Sequence, residues 1–398
     1  MYKQNGSILL FRAIVLSQIV SLLPMFLSVV GIGGESQIIS LIKYFLMLLS
    51  TFYCLKYAIN QHIKVSVIQM LFFVWITYLY ISAIPNIIDP YRNHIQLKMF
   101  LTYIMFLYII PVMMVAELDF VFLKKLFKFS YVLLLLYLAF ALLFAKYDDE
   151  GFTILAEGVI ILMMTWPYHK PKKRIVVILV FIITIVGMMI AARRNKVVFY
   201  GGGLVLALII NIISNSSYGS TKRVILVLLT LVFGISLYFA QSSFSLFFER
   251  MGTGMSSRED IIELFVDDFN NHPSDWVFGR GLYGSFYGGV LNTNEDLDTR
   301  DGIENGYLFL ILKGGGVWLA LVTLIAFNAL YKGLFKSKNL LCKGFAMIIL
   351  LYYIDMIGYG VPQISLKYIM VFIAIAGCNT PWLRECSDLY LEKQIGLK

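Results

Sequence analysis

Charge, cysteine and strict alternation are what this sequence has least of. Only 14% of its 398 residues are charged against 59% hydrophobic, and the mean hydropathy is +0.79, which excludes a water-soluble globular class. The apolar stretches are long and continuous instead of alternating at every second residue, which excludes a transmembrane β-barrel. The four cysteines, Cys54, Cys342, Cys378 and Cys386, fall at expected cytoplasmic ends or in the C-terminal tail, so no disulfide or metal framework is indicated. Neither a nucleotide-binding motif nor an internal repeat is present.

What is present is a series of apolar runs. One span needs about 20 residues, and twelve candidates are centred near residues 19, 48, 75, 107, 136, 160, 183, 205, 232, 318, 351 and 370. The fold expected is therefore all-α: a polytopic membrane protein with about 12 transmembrane helices and one large outer loop containing short helices. The first run, Ile8 to Val30, is too long for a signal-peptide core and lacks a small-x-small cleavage site, so it reads as an uncleaved span. Residues 1–240 carry spans one to nine, 241–304 the large loop, and 305–398 the last three spans and a tail.

With both termini cytoplasmic, 20 of the 33 Lys and Arg fall inside. The net charge of +9 thus reports orientation in the bilayer, and nucleic acid is not expected as a partner. The two cations divide differently: 16 of 22 Lys lie inside, whereas 7 of 11 Arg lie outside, namely Arg92, Arg193, Arg194, Arg250, Arg258, Arg280 and Arg300. Guanidinium grips phosphate in bidentate fashion, so this excess points to a phosphorylated ligand at the outer face.

The loop from Gln241 to Glu304 holds 12 of the 24 acidic residues, most of which must be ordinary solvated charge. Within it, SSREDIIELFVDDFNNHP predicts an amphipathic helix, with a capping box of Ser257 and Asp260 and an apolar side of Ile261, Ile262, Leu264, Phe265 and Phe269. Arg258 then sits in its first turn, either on a ligand or paired with Glu259 or Asp260. The glycines of WVFGRGLYGSF read as a turn around Arg280. NTNEDLDTRDG lacks the spacing of an EF-hand calcium loop, and no metal is expected. Further along the chain, Asp301 and Glu304 open the tenth span. Upstream, MMIAARRNKVVFYGGG crowds Arg193, Arg194 and Lys196 into one tight turn, where charge is either functional or snorkels to headgroups. Other intramembrane charges, Glu157, Lys313 and Asp355, are expected to pair and stabilise packing. Arg92, with His94 and Lys98, could extend the basic surface.

The order of these features resembles the O-antigen polymerase and ligase superfamily of bacterial envelope glycosyltransferases, most closely from about residue 175 to 335. The matching motifs are Ala192-Arg193-Arg194 at a span end, Arg258 in a loop helix, His272-Pro273 before Gly279-x-Gly281, and Glu304-Asn305-Gly306-Tyr307-Leu308 opening a span. Ligases typically have His where Glu304 stands. The resemblance implies an inner-membrane enzyme with a periplasmic loop, moving glycan from undecaprenyl diphosphate without a cofactor. It also implies membrane lipids, a chain-length regulator and a flippase as partners. In that scheme Glu304, Arg258 and Arg194 are catalytic, and Arg193, Arg280, Arg92, Asn305 and Tyr307 bind substrate. Glu304 in place of His favours a polymerase, joining one lipid-linked glycan to another, over a ligase transferring polymer to lipid A-core. A lipid-linked oligosaccharide flippase is a further alternative, although a single large loop and the lack of an internal repeat count against a transporter of two related halves.

Overall fold

The computed structural model describes residues 2–29, 37–60, 65–88, 110–144, 155–190, 193–214, 256–288, 299–358 and 365–396. Helix dominates them. Helices α1 (Tyr2–Val29), α2 (Gln37–Asn60) and α3 (Val67–Ile88) come first, and α4 (Phe120–Phe144) follows a 3-10 turn at Met113–Val115. Next are α5 (Ile160–Met164), α6 (Pro171–Ile190) and α7 (Arg194–Ser214). The expected loop contributes α8 (Ser256–Asn270), α9 (Pro273–Phe278), and the antiparallel strands β1 (Phe286–Tyr287) and β2 (Thr299–Arg300). The chain then runs through α10 (Gly306–Phe335), α11 (Leu340–Gly358), α12 (Leu366–Asn379), α13 (Pro381–Glu385) and α14 (Asp388–Ile395).

Five helical segments are long and apolar enough to cross a membrane: Gly6–Leu23, Val67–Pro85, Pro171–Ile190, Gly306–Phe335 and Leu340–Gly358. Among the described residues this is fewer than the expected twelve, and the candidates near 107 and 232 lie outside those residues. The α12 helix is apolar but only 14 residues long. Near residue 160 the expected span is interrupted. The N–H groups of Gly158 and Val159 donate to carbonyls three residues back, and continuous helix covers only Ile160–Met164.

Helices α11 and α12 form the centre, and every residue from Leu366 to Cys378 is buried. The α10 helix packs on α3, α11 and α12, while α7 packs on α6 and α11. In an apolar solvent helices gain by close approach, not by leaving water, and small residues permit it. The Phe345 ring of α11 accordingly seats on Gly377 of α12, where a Cβ would lie 2.5 Å from the ring. At the periphery, α3 exposes Val67, Met70, Leu71, Val74, Tyr78, Ile81 and Ile84. Such an apolar strip is untenable in water and natural against lipid.

Candidate functional site

The described part of the 256–304 segment is a small folded unit. Phe265 and Phe269 on the expected apolar side of α8 stack at 4.2 Å and, with Phe286, Ile303, Phe309 and Leu312, form a core separate from that of the bundle. Arg280 ties the unit together. Its Nε donates to Asp275 at 2.7 Å, its Nη1 to Asp268 at 2.6 Å and to the Ser285 carbonyl at 2.8 Å, and its Nη2 to Asp268 at 3.1 Å. The guanidinium also lies 4.7 Å from the Phe269 ring. The hydrogen bonds from Arg280 hold the Asp268 carboxyl below the usual carboxylate range, and those carboxylates in turn raise the Arg280 pKa. Expected on substrate, Arg280 has its donors committed within the loop.

The unit docks on α10 backbone to backbone. Gly315 has φ 70° and ψ −179°, which splits α10 into two segments and frees carbonyls of the preceding turn. The Arg280 N–H donates to the Leu312 carbonyl at 2.8 Å, and Trp75 Nε1 of α3 donates to Gly314 at 2.9 Å. Buried Lys313 donates to the Gly284 carbonyl at 2.8 Å. Gly279, with φ 72°, presses on this kink so closely that a Cβ would sit 2.5 Å from the Gly315 nitrogen. The G-x-G stretch is thus a turn, as read from sequence, and also the point of attachment.

Two asparagines bring the sequence candidates to one end of the bundle. Ile357 and Gly358 are the last described residues of α11, and helix C-terminal carbonyls take partners from outside the helix. Asn305 Nδ2 donates to Ile357 at 3.0 Å and Asn195 Nδ2 to Gly358 at 3.3 Å. Arg193 and Arg194 immediately precede Asn195, and Glu304 immediately precedes Asn305. The start of α7 and the start of α10 therefore meet at adjacent carbonyls. Helix N-termini favour anions; α7 is 21 residues long, and α10 runs unbroken from Gly306 up to its kink at Gly315.

Glu304 and Arg193 are solvent-exposed here. Arg194 is the first residue of α7 and Arg258 the third of α8, but both side chains, and all of Arg92, lie outside the described residues. Asn305 and Tyr307, expected on substrate, hold the scaffold instead. Asn305 Oδ1 accepts the Tyr307 and Leu308 N–H groups at 3.0 and 3.1 Å, capping α10, and the Tyr307 hydroxyl donates to the Tyr353 carbonyl at 2.7 Å.

Beside this end lies a charge network whose full pairing the sequence did not reveal. Glu157 pairs with Lys196 at 3.5 Å, and Asp355 pairs with Lys367 at 2.5 Å, while Lys313 takes a carbonyl rather than either carboxylate. Asn195 and Lys367 were missed as candidates. Asn195 lies inside the ARRNK run that drew attention for its charges, and Lys367 follows Ser365, whose hydroxyl caps α12 by accepting the Tyr368 N–H. Set beside known protein families, curated proteins and solved structures, the chain matches none of them.

Proposed function

We propose that this chain is a membrane glycosyltransferase of the O-antigen polymerase and ligase type, and specifically a polymerase using glycan on undecaprenyl diphosphate. The observation that carries the reading is the junction at the end of α11, where Asn195 and Asn305 tie an arginine pair and a carboxylate to adjacent carbonyls. An acceptor hydroxyl oxygen attacks the anomeric carbon, the bond from that carbon to phosphate oxygen breaks, and lipid diphosphate leaves with the electron pair. Glu304 takes the hydroxyl proton. Arg193, Arg194 and Arg258 meet the charge growing on the leaving phosphate, and the positive ends of α7 and α10 add to it. The glycosyl–phosphate bond supplies the driving force, so the scheme calls for no nucleotide.

General-base removal typically costs about 10²–10⁴-fold, so Glu304→Gln should abolish polymer while leaving the protein in the membrane. The test is gene deletion in the native host, complementation with wild type or Glu304→Gln, and glycan profiling by gel. Lipid A-core carrying a single repeat after deletion supports a polymerase. Polymer accumulating on undecaprenyl diphosphate makes the protein a ligase, and normal polymer with Glu304→Gln removes Glu304 from the base role.

The kink at Gly315 and the interruption at Gly158 favour one other reading, because transporters also build sites from discontinuous helices. Purified protein that moves lipid-linked sugar across vesicles without lengthening it makes the chain a flippase.

A further inference from the structure

Four charged side chains lie close to the α11 junction, and the proposed reaction uses none of them. Glu157 is 2% exposed, and Asp355 and Lys367 are each 4% exposed. Burying ion pairs returns little stability compared with apolar packing, and charge at membrane depth marks functional positions. The two pairs are unequal. Lys367 contacts Asp355 at 2.5 Å with both side chains enclosed, whereas Lys196 stands 3.5 Å from Glu157 with 23% of its side chain open. Glu157 has a second attachment, since its Oε2 accepts the Lys367 N–H at 3.4 Å. Lys196 belongs to the turn that carries the arginines, and its N–H donates to the Arg193 carbonyl at 3.0 Å.

We propose that Lys196 is an additional anion-binding residue of the candidate site, taking a phosphate of a diphosphate ligand, and that Glu157 is the counter-ion that holds it while the site is empty. On exchange Lys196 swaps a loose carboxylate for phosphate, a partner of higher charge with more acceptor oxygens. Glu157 is not stranded, because it keeps the Lys367 N–H at the start of α12. Lys367 has no such freedom, being enclosed on a tight partner. Only the identity of the ligand as a lipid diphosphate rests on the function proposed above.

The test is equilibrium binding to the full-length protein in nanodiscs, read without turnover, so that a failed polymerase assay leaves it intact. The probes are undecaprenyl diphosphate and, separately, inorganic pyrophosphate. Lys196→Gln should weaken lipid diphosphate binding about tenfold, the loss of one charge-assisted contact. Glu157→Gln should tighten it about threefold, since the competing charge is gone and the amide oxygen still accepts the Lys367 N–H. Glu157→Asp, too short to hold Lys196, should shift binding the same way and serves if the Gln variant does not fold. Weakening in both Lys196 and Glu157 variants, or no change in either, makes the pair a packing element and overturns the proposal. Opposite shifts seen with pyrophosphate but not with the lipid overturn the lipid-borne ligand.

Discussion

Asn305 occupies three backbone groups with one side chain, two N–H groups of α10 and the carbonyl of Ile357 in α11. Asn305→Ala should lower stability by about 0.5–2 kcal/mol, the range for a lost N-cap, read as a lower unfolding temperature in detergent. Asn305→Asp keeps the cap but turns the donor at Ile357 into an acceptor facing that carbonyl, so it should recover only the cap's share of the stability while activity falls. His169 predicts a pH effect. It is fully buried, with Nδ1 2.7 Å from the Tyr131 hydroxyl and Nε2 3.1 Å from the Leu162 carbonyl. Burial pushes its pKa down to about 3, the Leu162 carbonyl opposes this, and Lys173 and Arg174 add to the fall. Unfolded, the imidazole titrates near the ordinary 6.5. The unfolded chain therefore holds the extra proton between those values. The contribution is complete above 6.5 and is lost as pH falls, by about 2 kcal/mol at pH of about 5. Unfolding midpoints of wild type and His169→Gln across that range check it, and the variant should show the flatter profile.

At the scale of elements, the joint between the loop unit and α10 is the least tolerant feature. Gly279 and Gly315 both have positive φ, and a Cβ on Gly315 would overlap the Val277 carbonyl. Gly315→Ala should cost about 1–3 kcal/mol from backbone conformation alone, with steric overlap added, and should undock the unit. Faster hydrogen exchange across residues 268–288 with unchanged protection in α11 is the expected readout. Much of the loop helix was legible beforehand. Its apolar side holds Phe265 and Phe269 in the small core as expected, while the Ser257 side chain of the expected capping box lies outside the described residues. The joint was not legible. Each glycine cluster can be read as a local turn or close-packing site, and no local pattern connects residues 36 apart, as Gly279 and Gly315 are.

Across the whole molecule, the apolar strip on α3 makes a prediction that separates lipid from water. Val74 is 61% exposed near the middle of its segment. Val74→Asp on an aqueous surface would change little; facing lipid it should cost about 2.5–3.5 kcal/mol of insertion free energy. Membrane fractionation of the variant decides between them. Membrane character was plain from composition, but the span count was not. Hydropathy records the length of a run and is blind to an interruption such as that at Gly158. The arginine pair and Glu304 stand out as candidates because charge is conspicuous in apolar sequence. Their common anchor was hidden, since two lone asparagines have no pattern that names the helix end they share. The glycine joint also bears on ancestry. Because its two surfaces are bare backbone, neither side can drift and be rescued by a compensating side chain on the other. Any lineage that keeps this docking must inherit both glycines together, and the pair is a better thread for tracing kinship than the number of spans.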